Sequence, residues 1–113
     1  FSNLSATANY LRHQEKDVLL ICAGWKGRPG LEDILFAGAL VKALQETHVN
    51  KEDSTHLALA AYDLAKENVL EYLQRASHLK RLKTLGGEDI PFCLIPDQFD
   101  VVVHLVDNEL CLK

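Results

Sequence analysis

Asp17-Val18-Leu19-Leu20-Ile21-Cys22-Ala23-Gly24-Trp25-Lys26-Gly27-Arg28-Pro29-Gly30-Leu31-Glu32-Asp33 is the stretch whose reading decides the fold. Residues 17–22 are an apolar run of the kind that a parallel sheet buries on both faces. A glycine-punctuated loop follows over residues 23–30, and a helix opens at Leu31. This order sets a loop at the carboxyl end of a strand, where open α/β sheets bind ligands and the next helix presents unpaired backbone N–H groups. Chemistry is expected there first.

Gly24, Gly27 and Gly30 recur at every third position, and glycine admits positive φ and a close backbone approach to a ligand. Lys26 and Arg28 stand between them. Amides, two cations and a helix N-terminus suit an anion cradle, and the spacing is neither a Walker A pattern nor a dinucleotide fingerprint. It points to phosphate without pointing to a nucleotide. A tight surface loop with solvated basic residues explains the same letters, and the spacing leaves both readings open. Glu32 and Asp33 also have two readings. Acidic residues in a first helical turn complement the helix dipole, which is the reading favoured by the residues alone. The other makes them ligands of a Mg²⁺ that bridges to phosphate.

At 113 residues, 48% hydrophobic and 25% charged, the chain has the make-up of one ordinary globular domain. Its formal net charge of −4 is spread without long runs, and the lack of a basic stripe argues against nucleic acid and anionic membrane as partners. No apolar segment approaches the roughly 20 residues of a spanning helix, and no signal-peptide pattern is present, so a cytoplasmic setting is expected. Cys22, Cys93 and Cys111 lie in apolar contexts without C-x-x-C spacing. Buried, reduced thiols are expected.

The chain opens on Phe1 and contains no methionine. Residues 18–22 call for neighbouring strands on either side, yet only residues 101–106 and 109–112 offer further strands, against several helices. The expectation is an α/β chain, part of a three-layer sheet-and-helix fold that is incomplete without strands N-terminal to Phe1. Residues 1–113 are then a single α/β domain or the C-terminal portion of a larger one.

In chain order, Ser2 or Asn3 can cap a first helix with Leu4, Ala8 and Leu11 on one face. The second helix carries a stripe of Leu31, Ile34, Ala37, Val41 and Leu44, with Gly38 making a slim waist for close packing. Residues 46–53 break the period as a surface connection. From Asp53 or Ser54 the apolar spacing predicts one long helix to Leu82, with a bend or break near Ser77. Its cluster Arg75, Ser77, His78, Lys80 and Arg81 is a basic patch suited to a second anionic group, or a charged last turn that favours the helix dipole. Gly86-Gly87 stops that helix. Pro91 suits the first turn of a short helix, and Asp107-Asn108 suits a hairpin turn between two strands.

The five histidines form no H-x-H or H-E-x-x-H pair, which leaves zinc weakly supported. No G-x-S-x-G elbow is present. From the residues alone, the chain is an α/β domain with a candidate anion loop.

Several ordered segments together resemble the 2-phosphosulfolactate phosphatase family. They are Phe1-Ser2-Asn3-Leu4-Ser5-Ala6, Leu19 through Arg28, Leu31-Glu32-Asp33-Ile34-Leu35, and Ala37-Gly38-Ala39-Leu40-Val41. Ser77-His78 with Arg81-Leu82 and Leu85-Gly86, and Glu88-Asp89-Ile90 with Phe99-Asp100-Val101-Val102, continue the likeness over nearly the whole chain. The resemblance implies a Mg²⁺-dependent phosphatase that hydrolyses 2-phospho-3-sulfolactate to sulfolactate and phosphate, a step towards coenzyme M. Carried over, Lys26 and Arg28 are expected to stabilise charge on the phosphoryl oxygens. Gly24, Trp25, Gly27, Ser77, His78 and Arg81 are expected to bind substrate, with Glu32 and Asp33 as metal contacts. The family's pattern also has an Asp-and-Arg motif and a T-T-N-G-T-like segment that this sequence lacks. A second class of function, a non-catalytic α/β domain that binds a small anion or a partner chain through an open sheet edge, predicts self-association as a homo-oligomer or a complementing N-terminal segment.

Overall fold

The computed structural model describes residues 1–113. It forms α1 (Leu4–Arg12), α2 (Leu31–Leu44), α3 (Asp53–Ala65), α4 (Val69–Leu73), α5 (Ser77–Thr84), α6 (Ile90–Cys93), β1 (Val103–Val106) and β2 (Glu109–Leu112). The central element is α2. Leu35, Ala37, Gly38, Ala39, Leu40, Val41 and Leu44 are all buried, so the expected single stripe widens to most of the helix circumference. A helix apolar on most sides must be wrapped by other elements. Gly38 admits one of them, because a Cβ there would collide with the Ala58 carbonyl and the Tyr62 side chain of α3.

Two clusters divide the core along α2. Leu35 joins Ala65, Leu73, Ala76 and Leu79, while Leu40 and Leu44 join Ala8 of α1. The single long helix expected over residues 53–82 is instead three, α3, α4 and α5. Asn68 accepts from the Glu71 N–H at 3.1 Å and donates to the Glu71 carboxylate at 3.0 Å, a reciprocal cap that starts a new helix. Ala76, extended at φ −70 and ψ 131, makes the second break. Both breaks turn Leu73, Ala76 and Leu79 onto Leu35, burying apolar surface that a straight rod would leave wet. Past α5, Gly86 at φ +90 ends the helix and the Gly87 N–H returns to the Leu82 carbonyl at 3.1 Å.

Residues 17–22, expected as a sheet strand, are extended but pair with no strand. No backbone N–H or C=O from residue 17 to residue 23 takes part in a backbone hydrogen bond. Leu20 packs on the cluster of α1 and α2, whereas Leu19 and Ile21 stand 82% and 84% exposed on the other face. The sheet that is present is the antiparallel β1–β2 hairpin, with Val106 opposite Glu109 and Val103 opposite Leu112. Its turn residues Asp107 and Asn108 take φ 48 and 66, the left-handed pair that a two-residue hairpin turn requires. The three cysteines are free, as expected, but all are exposed, contrary to the expected burial; Cys22 lies on the unpaired segment and Cys111 on the open hairpin.

The chain ends meet. Phe99 donates its N–H to the Ser2 carbonyl at 2.8 Å, and Asn3 Nδ2 donates to the Val101 carbonyl at 3.1 Å. Asn3 therefore does not cap α1 through its own side chain. Asp97 does so from across the sequence, accepting from the Ser5 N–H at 2.6 Å and the Ser5 hydroxyl at 2.7 Å.

Candidate active site

The unpaired segment delivers Gly24 to the N-terminus of α2. Gly24 sits at φ +61, and a Cβ there would collide with the Arg28 carbonyl oxygen. Trp25 and Arg28 exchange both backbone hydrogen bonds, at 2.9 and 3.0 Å, across Lys26 at φ 50 and Gly27 at φ 71. The two central residues are both left-handed, so the loop closes as a tight turn that projects Trp25, Lys26 and Arg28 from a rigid base. Asp33 fastens that base: its Oδ2 accepts the Gly24 N–H at 2.7 Å.

Glu32, one residue earlier on α2, reaches a different element. Its Oε1 lies 2.8 Å from Nδ1 of His78, which is 46 residues away in sequence and in the first turn of α5. The His78 ring stacks on Trp25, with centroids 5.7 Å apart and planes 10° from parallel. Arg81, one turn further along α5, holds its guanidinium carbon 4.5 Å from the indole, and Lys26 Nζ is 4.7 Å from it. Such contacts position cations over an aromatic face without neutralising them. The result is an indole platform that gathers Lys26, Arg81 and His78, with the imidazole oriented by a carboxylate.

The geometry bears on each expected site residue. Trp25, Lys26, Glu32, His78 and Arg81 converge, while Gly24 and Gly27 shape the turn and Asp33 braces it. Arg28 is exposed and tied to the platform only through its backbone pairing with Trp25, and Ser77, also exposed, opens α5. The Glu32–His78 pairing was beyond sequence reasoning, since nothing in local spacing links α2 to a helix that the periodicity had merged with α3. Partial shielding, and then the negative charge of Asp33, push the Cys22 thiol pKa up.

The two carboxylates bear on a metal ion as follows. Their hydrogen-bonded oxygens lie side by side at Gly30, where a Cβ would stand 2.8 Å from Asp33 Oδ2 and 2.8 Å from Glu32 Oε1. Each keeps a second oxygen outside its hydrogen bond, and hard carboxylate oxygens suit Mg²⁺, which is commonly held by one or two carboxylates with water and phosphate. No group of three or more His, Cys, Asp and Glu suited to a metal ion forms in the chain. The remaining ligands would therefore be water and substrate.

Residues 1–108 match the sequence family described as 2-phosphosulpholactate phosphatase. The chain belongs to that family. A Thermotoga maritima protein named "Probable 2-phosphosulfolactate phosphatase" is 43% identical over 114 residues, covering 100% of this chain and 49% of its own length. A protein of the same name from Caldanaerobacter subterraneus is 37% identical over 105 residues, covering 91% of this chain and 44% of its own. One from Prochlorococcus marinus is 35% identical over 112 residues, covering 87% and 46%. The chain thus spans about half the length of the curated 2-phosphosulfolactate phosphatase relatives it matches. No helix is long and apolar enough to cross a membrane.

Proposed function

We infer that the Trp25 platform is one wall of a phosphatase active site that hydrolyses 2-phospho-3-sulfolactate to sulfolactate and phosphate, a coenzyme M type of reaction in the cytoplasm. One observation carries the reading: a carboxylate-oriented imidazole and two cations gather on a single indole beside the N-terminus of α2. The substrate presents phosphate, sulfonate and carboxylate together, and Lys26 and Arg81 supply positive charge at the indole, with Arg28 on the same tight turn. Phosphoryl transfer asks a protein chiefly for positioning and charge stabilisation, which such a set provides.

The proton route follows from His78. An ionised Glu32 can only accept, so Nδ1 carries the hydrogen that faces it and Nε2 is the nitrogen left for the substrate. In the hydrolysis, the oxygen of water bonds to phosphorus as the ester P–O bond breaks, and a protonated His78 gives its Nε2 proton to the departing lactate oxygen. Lys26 and Arg28 hold the phosphoryl oxygens, and Arg81 meets the second anionic group. Glu32 and Asp33 would hold Mg²⁺ through their free oxygens, where it would neutralise charge on the phosphate.

The test is phosphate release from 2-phospho-3-sulfolactate, with Mg²⁺ and with EDTA. It is measured on this chain and on a polypeptide that places the unmatched part of the Thermotoga maritima relative ahead of Phe1. Replacing Lys26 and Arg28 together by Ala is expected to lower kcat/KM by about 100-fold or more. Full activity in that double variant overturns the roles given to the loop, and activity undiminished by EDTA overturns the metal.

A further inference from the structure

We propose that α5 is a hinged lid over the Trp25 platform, which opens as one unit and is shut by an anion that meets Lys26 and Arg81 together; this rests on the reading of that platform as an anion site. The two ends of α5 are built to turn. Ala76, extended at φ −70 and ψ 131, precedes it, and Gly86 at φ +90 follows, with nothing within 4 Å of where a Cβ would stand. A few residues at the ends of an element are enough to absorb a hinge motion. Between them the attachment is slight. Leu79 is the one buried residue of α5, against seven along α2, and no backbone hydrogen bond joins α5 to another element. Beyond Leu79, the Glu32–His78 hydrogen bond and the contacts of His78 and Arg81 with Trp25 tie it down. A segment with one buried anchor opens at a fraction of the free energy of a core helix.

Charge decides which way the lid rests. α5 carries Lys80, Arg81 and Lys83 without an acidic residue, and the turn it meets brings Lys26 and Arg28. None of these five cations takes part in an ion pair. Arg81 Cζ and Lys26 Nζ stand 4.5 and 4.7 Å from the same ring, so closure brings two unneutralised cations together, a cost that Leu79 and the Glu32–His78 bond must offset. A bound oxyanion supplies the missing negative charge at that point. It therefore interacts more strongly with the closed form than with the open one, and such a difference in affinity is what shifts a population. His78 and Arg81, three residues apart on α5, leave and return together, so ligand entry and assembly of the site become one event.

Amide hydrogen exchange tests this with inorganic phosphate as the probe, on this chain and on the polypeptide that joins the unmatched part of the Thermotoga maritima relative to it, with equilibrium dialysis recording phosphate binding by each. Without phosphate, the amides from Lys80 to Thr84 are expected to share one protection, about 10-fold or more below that of the Leu40 to Leu44 amides. Phosphate at roughly ten times its dissociation constant is expected to slow them about 10-fold, and to leave them unslowed in Arg81→Gln. Trp25 is the sole tryptophan, so acrylamide quenching of its fluorescence gives a second reading, with access expected to fall as phosphate binds. Bound phosphate that leaves the α5 amides unslowed overturns the lid and leaves the anion site standing. Phosphate bound by neither polypeptide overturns both. Protection of α5 equal to that of α2 without phosphate also overturns the lid, since α5 then opens only when the whole chain unfolds.

Discussion

Gly24 and Gly27 separate two costs that a positive φ can carry. Both are left-handed, at φ 61 and 71, but a Cβ at Gly24 strikes the Arg28 carbonyl and one at Gly27 meets nothing within 4 Å. Gly27→Ala is therefore expected to cost only the left-handed strain of an L residue, about 1 kcal/mol, and Gly24→Ala about 3 kcal/mol with the turn displaced from Trp25. Urea midpoints of the two variants check the order, and equal losses would mean that the turn relaxes freely. Asp97 acts at the same scale. Hydrogen bonds from the Ser5 N–H and then the Ser5 hydroxyl hold its carboxyl below the usual carboxylate range. A group depressed in the folded state stabilises above its unfolded pKa and loses that contribution as pH falls through the folded one. Asp97→Asn is thus expected to lower stability near neutral pH, and to flatten the acid side of a stability-versus-pH curve. An unchanged acid limb would contradict the cap. Asp63, held low by Lys42 and then Lys66, pairs with them at the surface, where solvent screens the charges and little is added.

At the scale of elements, the connection between α3 and α5 decides whether the site exists. A straight helix from Asp53 to Leu82 would carry His78 away from Glu32, and the breaks at Asn68 and Ala76 are what return α5 to the head of α2. Asn68→Ala removes the cap of α4 and is expected to cost about 1 kcal/mol. A loss of phosphatase activity larger than the loss of stability, read by comparing kcat/KM with the urea midpoint, would follow from a shifted α5. Gly38→Ala drives a methyl into the backbone of α3, and about 3 kcal/mol is expected from overpacking at a contact that cannot yield. The hairpin, the short α6, the bounds of α2 and the waist at Gly38 were all legible in the sequence, because each is written in local turn chemistry or spacing. The break at Ala76 was legible too, expected as a bend or break near Ser77, whereas the break at Asn68 was not, although Asn68 and Glu71 spell a capping pair. The alanine-rich spacing across residues 58–76 continued the helical period through it, and the period outweighed the cap.

At the scale of the molecule, 14 of 113 residues are buried, a small core for a chain of this length, and half of the exposed large apolar residues lie on the unpaired segment and the hairpin. The shortage of sheet was visible in the sequence, since an apolar run such as residues 18–22 has no use for solvent. The clustering of loop, α2 and α5 was legible only through the ordered family segments. Contacts set by tertiary return, Glu32 to His78 and Asp97 to Ser5, leave no local trace. Family membership and the indole platform fit the proposed function, in which the Trp25 platform is one wall of a phosphatase site. The measurement that tests it most directly is kcat for phosphate release from 2-phospho-3-sulfolactate by the polypeptide that joins the unmatched part of the Thermotoga maritima relative to this chain, wild type beside His78→Gln. The account predicts a fall of about 100- to 10,000-fold in kcat, with KM and the urea midpoint little changed. An unaltered kcat would contradict it.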